Sequence, residues 1–353
     1  MHEKQKTYFG VGSVQRVRGI LARHRPTHIM LITGRHSYEA SGAKKELDIL
    51  LQHHQVTRWN NFAVNPRKED IQKGSAIVRS AHCDLIIAVG GGSVIDMGKL
   101  INNHLFLPLI ALPTTAGTGS EATHFATFYH RKIKYSLAHP RLLPAYAVVD
   151  PLFTFNLPSY VAACTGMDAL AQGIESYWST HATAQSRRYA REAIMLAWRF
   201  LARAVTNPTP QVRIAMSKAA LLAGRAINIS KTTVCHAVSY PFTAFFRVPH
   251  GHAVAITLSR VLAYNAEHAP TPAAQGAIRS ILTFLDARNV REAVCAIDAL
   301  MDTIGLARRL RDLGMNNKND INRVVRYVNA ERLSHNPSPM DAKTIKALCE
   351  QVW

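Results

Sequence analysis

The first 150 residues alternate short apolar runs with amphipathic segments, and this alternation limits the fold more than any other feature. "HIMLIT" (28–33) precedes "YEASGAKKELDILLQHH", and "EDIQKGSAIVRSA" leads into "DLIIAVGGGS". "GKLINN", "PLIALPTTAGTGS" and "AYAVVDP" continue the rhythm. Short apolar runs with helical stretches between them are what parallel strands covered on both faces require. "HFATFYH" and "IKYSLAH" read as an added hairpin. After "DPLFTFNLPS" the rhythm changes. "SRRYAREAIMLAWRFLARAV", "QVRIAMSKAALLAGRAI" and "REAVCAIDALMDTIG" have helical spacing and no strand alternation. The expectation is an α/β domain over 1–155 and an all-helical domain over 156–353. The active site is expected in the cleft between them, because open parallel sheets bind ligands beyond their strand C-termini.

Composition narrows the function classes. No stretch of the 353 residues approaches the roughly 20 apolar residues of a membrane span. The opening "MHEKQKTYFGVGSV" carries no apolar signal core, so no secretory leader is expected. Cys83, Cys164, Cys235, Cys295 and Cys349 are odd in number, scattered and never C-x-x-C, which points to free thiols and a cytoplasmic protein. Lys and Arg total 42 against 23 Asp and Glu, a net +19. The basic residues form no long run and no aromatic-basic ladder, which argues against a nucleic-acid partner. A basic surface of no special role is the first reading, and attraction of an anionic substrate the second.

Two glycine-rich turns carry the nucleotide signal. "AVGGGSVIDMGK" (88–99) places Gly90, Gly91, Gly92 and Ser93 where a buried strand turns into a helix. There the backbone can approach a diphosphate, and the helix start offers N–H groups and a positive dipole end. "LPTTAGTGSEAT" (112–123) repeats the arrangement after the next strand and adds the hydroxyls of Thr114, Thr115, Thr118 and Ser120. One such turn is weak; two on successive strands point to a dinucleotide.

The metal signal lies further on. In "TGMDALAQGIESYW" (165–178), Asp168, Gln172 and Glu175 fall at i, i+4 and i+7 on one helical face. His236 and His250 lie fourteen positions apart in "CHAVSYPFTAFFRVPHGHA". Asp with two His suits Fe²⁺ or Zn²⁺. Gln172 is a poor ligand in a position where a histidine would complete a plain pair.

"GGGSVIDMGK", "PTTAGTGSE", "GMDAL" with "IE", and His236 followed by the "HGHA" of His250 occur in this order. Together they resemble the iron-containing (group III) alcohol dehydrogenase family over nearly the whole chain. The resemblance implies a parallel-sheet dinucleotide-binding domain, then a helical metal-binding domain, the fold shared with dehydroquinate synthase. It also implies NADPH or NADH, one divalent metal and a homodimer. The family's ligand pattern falls on Asp168, Gln172, His236 and His250. Gln172 is then either a weak fourth ligand or a hydrogen-bond partner of the substrate. Where many relatives carry a further histidine this chain has Tyr240, and either Tyr240 or His252 is the candidate proton relay. An acidic residue that commonly holds the adenosine ribose is replaced by Gly34 and Arg35, so NADPH should be accepted at least as well as NADH. Asp96, Lys99 and Lys134 are assigned by the same resemblance to the diphosphate and nicotinamide end.

"INISKTTVCH" brings Ser230, Lys231, Thr232 and Thr233 directly before His236. A helix beginning there would offer N–H groups, hydroxyls and an ammonium to a phosphate-like dianion. The plainer reading is a Ser/Thr helix cap beside a solvated lysine. With this segment the chain resembles the phosphonoacetaldehyde reductase branch of the family. That branch implies reduction of a small anionic aldehyde, phosphonoacetaldehyde, to 2-hydroxyethylphosphonate in phosphonate biosynthesis. The competing readings are a general short-chain aldehyde or diol dehydrogenase, and a non-catalytic binding protein on a decayed dehydrogenase fold.

Overall fold

The apolar runs of the first half assemble into one six-stranded sheet in the computed structural model, which describes residues 5–131 and 133–353. The strands are β1 (Lys6–Phe9), β2 (His28–Thr33), β3 (Gln55–Trp59), β4 (Leu85–Gly90), β5 (Leu109–Pro113) and, further along, β8 (Tyr146–Val149). Their order is β1-β8-β5-β4-β2-β3, and every pairing is parallel. Alternate residues feed two separate cores. Ile29, Leu31, Leu85, Ile87, Ile110 and Val148 pack on one face, with Val17, Leu47 and Phe153. Met30, Ile32, Ile86, Ala88 and Leu109 pack on the other, with Val78, Met97 and Ile101. A central parallel strand so covered must be apolar at every position. The expected hairpin is also present, β6 (Phe125–His130) paired antiparallel with β7 (Ile133–Ala138) as a separate two-stranded sheet.

The remainder is helical. Its main elements are Ser159–Trp178, Ala184–Thr206, Pro210–Ser230, Val234–Phe246, His250–His268, Pro272–Phe284 and Val290–Thr303. Ser159–Trp178 is buried along most of its length, Asp168, Gln172 and Glu175 included, so it is a core helix rather than a one-sided surface helix. The chain divides into two compact units. One comprises the described residues of Met1–Leu157 with Thr209–Ser217, the other Pro158–Pro208 with Lys218–Trp353. Among the described residues no helix is long and apolar enough to cross a membrane.

Candidate active site

Three helices bring the metal-type residues together. Asp168 lies within Ser159–Trp178, His236 in the first turn of Val234–Phe246, and His250 opens His250–His268. Their ligand atoms all lie within 4.8 Å of one another. Asp168 Oδ1 is 3.2 Å from His236 Nε2 and 3.9 Å from His250 Nε2. Asp168 and His236 are buried, and His250 retains partial exposure. One carboxylate oxygen and two imidazole nitrogens converging from separate helices are a fitting donor set for a borderline divalent metal. Three protein ligands also leave a coordination position open. Gln172, one turn beyond Asp168, is buried on the same helix.

The approach of the third helix depends on Gly251. A Cβ there would stand 1.9 Å from the carbonyl oxygen of Cys164 and 3.1 Å from Asp168 Cβ. Only glycine lets the two helix backbones come this close, and that proximity delivers His250 to Asp168.

A residue without an assigned role in the sequence completes the support. Glu175 is fully buried and accepts hydrogen bonds from the His236 ring at Nδ1, from the Cys235 N–H at 2.7 Å and from the Thr233 hydroxyl at 2.8 Å. Burial opposes charge on both partners. Their mutual attraction nevertheless holds Glu175 below its ordinary range and, with Asp168, lifts His236 above its own. A carboxylate on one ring nitrogen fixes the other toward a metal. Sequence periodicity places Glu175 on the right face, but its contact with His236 spans sixty-one positions. Ser239 Oγ meets His250 Nδ1 at 3.3 Å in the comparable place.

Residues 230–233 have separate occupations. The Ser230 hydroxyl donates to Ser176 Oγ at 2.6 Å, and Thr233 Oγ1 also accepts from the Trp178 indole at 3.0 Å. Lys231 follows the end of the Pro210–Ser230 helix at φ 62° and pairs with Glu331 at 3.2 Å. Thr232 Oγ1 accepts a hydrogen bond from Arg332. The helix start that the sequence offers to a substrate anion is met by the chain's own carboxylate, since Cys235 N–H donates to Glu175. A single cradle made of all four residues is therefore not what the structure forms.

The two relay candidates also differ. His252 is buried, with Nδ1 3.1 Å from the Tyr160 hydroxyl and Nε2 2.8 Å from the Ala307 carbonyl oxygen. Burial holds its pKa down, with partial relief from that carbonyl. Both its ring nitrogens are engaged by protein groups. Tyr240 stands beside the metal-type cluster, its ring centroid 6.3 Å from that of His250.

In the first unit the two glycine-rich turns pack on each other. A Cβ on Gly92 would lie 2.7 Å from the Thr118 side chain, and one on Gly91 3.4 Å from Thr115. Gly90 ends β4, and its carbonyl receives the Thr114 N–H at 3.0 Å. Ser93 Oγ accepts from Asn65 N–H at 3.3 Å. Asp96 and Lys99 brace this arrangement from the Gly92–Asn102 helix. Asp96 accepts from the Ser120 hydroxyl at 2.6 Å and from the Thr127 N–H and hydroxyl at 2.9 Å each. Lys99, buried, donates to Ser120 Oγ, Thr123 Oγ1 and the Phe125 carbonyl at 2.8, 3.0 and 2.9 Å. Burial lowers its pKa to about 8, against the pull of Asp96 and Glu121. Gly34 follows β2, and exposed Arg35 donates to Asn61 Oδ1 at 2.9 Å. Lys134 lies on β7, opposite Tyr129.

Comparison with known proteins covers both halves of the chain. Residues 4–151 match the iron-containing alcohol dehydrogenase family, and residues 162–353 match its C-terminal region. The chain is 33% identical over 287 residues to a 1,3-propanediol dehydrogenase of Klebsiella pneumoniae, covering 74% of each. It is 35% identical over 243 residues to a phosphonoacetaldehyde reductase of Streptomyces viridochromogenes, covering 60% of this chain and 61% of that one. The crystal structure of sulfoacetaldehyde reductase from Bifidobacterium kashiwanohense, in complex with NAD+, superposes with a TM-score of 0.89 at 28% identity. The match covers 99% of this chain and 96% of that one. The chain belongs to the iron-containing alcohol dehydrogenase family, oxidoreductases that use NAD(P) and a divalent metal to interconvert alcohols and aldehydes.

Proposed function

We propose that the enzyme reduces phosphonoacetaldehyde to 2-hydroxyethylphosphonate, taking a hydride from NAD(P)H and a proton through the protein. The observation that carries the reductase reading is the convergence of Asp168, His236 and His250 within 4.8 Å. A divalent metal, which Asp168, His236 and His250 would hold, would supply Lewis acidity toward an aldehyde oxygen. The protein's own part would be to fix the imidazoles through Glu175 and Ser239, with Tyr240, beside His250, as the proposed proton relay. Similarity supports the substrate. Two of the similar proteins bear the names of two-carbon aldehydes with an anionic head, one a phosphonate and one a sulfonate. A net charge of +19 favours the approach of such a substrate.

Wider coverage by the 1,3-propanediol dehydrogenase supports a second reading, an enzyme for neutral short-chain aldehydes. A substrate panel separates the two. After loading with Fe²⁺ or Zn²⁺, nucleotide oxidation is followed with phosphonoacetaldehyde, sulfoacetaldehyde, 3-hydroxypropanal and butanal. The expected specificity constant for phosphonoacetaldehyde exceeds that for butanal by roughly 100-fold, about the yield of one or two charged hydrogen bonds. Equal or better turnover of the neutral aldehydes would displace the phosphonate assignment.

A further inference from the structure

We infer that Arg332 is the specificity residue that holds the substrate's anionic head, with Lys231 as its charged neighbour. This rests on the anionic-aldehyde reading above. It moves the anchor from the hydroxyl-rich segment before His236 to a side chain a hundred positions away.

The geometry runs outward from the metal-type cluster. The Tyr240 ring neighbours His250 at 6.3 Å between centroids, and the Arg332 guanidinium carbon lies 5.5 Å from the centre of that same ring. The guanidinium and His250 thus share the Tyr240 ring as a common neighbour. A two-carbon aldehyde is short, so its charged end must find a cation close to where its carbonyl is bound. Arg332 Nη1 donates to Thr232 Oγ1, which fixes one edge of the fork. Asn329 Oδ1 accepts from the Arg332 backbone N–H at 3.0 Å and sets the short turn that carries it. Among the described residues no carboxylate forms an ion pair with this guanidinium, whereas Lys231 is paired with Glu331.

The surroundings are positive. His335 is held below its ordinary pKa by burial first, and then by the charges of His181, Lys231 and Arg332. His181 and His335 sit with ring centroids 4.6 Å apart. Glu331 is paired with Lys231 and also feels the charge of Arg332, so two permanent cations lie in this neighbourhood. A planar fork held beside a buried aromatic ring, with edges left for another acceptor, is suited to the oxygens of a phosphonate.

The test uses the metal-loaded enzyme and three probes: phosphonoacetaldehyde, butanal, and phosphonoacetate as a non-reacting anion. Arg332→Leu should raise the KM for phosphonoacetaldehyde, so that its specificity constant relative to butanal falls roughly ten- to a hundred-fold. Phosphonoacetate inhibition should weaken by a similar factor, and Arg332→Lys should recover part of both losses. Nucleotide binding and the circular dichroism of each variant report that the fold is kept. If the wild-type enzyme prefers phosphonoacetaldehyde and Arg332→Leu keeps that preference, Arg332 is not the anchor, while the substrate assignment stands. If the wild type shows no such preference and phosphonoacetate fails to inhibit it, the substrate assignment falls and this inference falls with it. Equal loss with phosphonoacetaldehyde and butanal, with phosphonoacetate inhibition unchanged, would reduce Arg332 to a brace for Tyr240 and overturn the proposal.

Discussion

Glu175 and His236 are joined by a buried hydrogen bond to Nδ1, while Asp168 faces Nε2 of the same imidazole at 3.2 Å. The ring is thus clamped from one side and presented on the other. Removing the clamp's charge should weaken metal retention before it harms the fold. Glu175→Gln is expected to lower metal affinity about 10- to 100-fold. Competition with a chelator of known affinity measures it. Unchanged affinity in the variant would mean that Glu175 serves only Thr233 and Cys235.

Gly251→Ala tests how His250 is delivered. A methyl group placed 1.9 Å from a backbone oxygen cannot be relieved by rotating a side chain, so one helix must move. We expect loss of metal binding and of aldehyde reduction, with the nucleotide-binding unit still folded. Retention of both functions would show that the helices can separate without cost to the site.

The readable and unreadable parts of the fold divide on physical grounds. β2, β4, β5 and β8 stand out in the sequence because central parallel strands are buried on both faces and therefore consist of apolar runs. β1 and β3 are the two edges of the sheet. Their sequences, "KTYF" and "QVTRW", mix polar and apolar residues at mostly part-exposed positions, and no apolar run marks them. The site divides in the same way. Asp168, His236 and His250 could be named from spacing and family pattern, because their chemistry is written in residue type. Gly251 and Arg332 matter only through contacts with segments about ninety or a hundred positions away, which no local pattern records.

Tyr240 and His252 can be separated by experiment. Tyr240→Phe keeps the ring beneath Arg332 and deletes only the hydroxyl, so anion affinity should hold. If that hydroxyl relays the proton, kcat should fall at least about 100-fold. His252 spends both nitrogens on Tyr160 and Ala307, so His252→Ala should show first as a lower Tm. A large kcat loss in His252→Ala at unchanged Tm, with Tyr240→Phe active, would reverse the assignment.

Arg35 follows the C-terminal end of β2, exposed and held by Asn61. No carboxylate precedes it there to repel a 2′-phosphate, since Thr33 and Gly34 occupy the strand end. NADPH should accordingly be used at least as well as NADH. Arg35→Ala should raise the KM for NADPH roughly tenfold and leave that for NADH nearly unchanged. A wild-type preference for NADH that persists in the variant would refute the role.

Lys99 gives a pH dependence whose direction is fixed by burial. Its folded pKa is about 8, against an ordinary 10.5. Between those values the unfolded chain holds a proton that the folded chain has released. Unfolding there takes up a proton, so rising pH favours the folded state at this residue. Below about pH 8 both states are protonated and the contribution is constant at its least favourable. Lys99→Met removes the titration together with three hydrogen bonds. The stability of the wild type relative to Lys99→Met should therefore increase from about pH 7.5 to about pH 9.5, as read from urea unfolding of both proteins at each pH. A difference that stays flat or shrinks over that interval would mean that Asp96 and its neighbours keep the buried ammonium charged in the folded state.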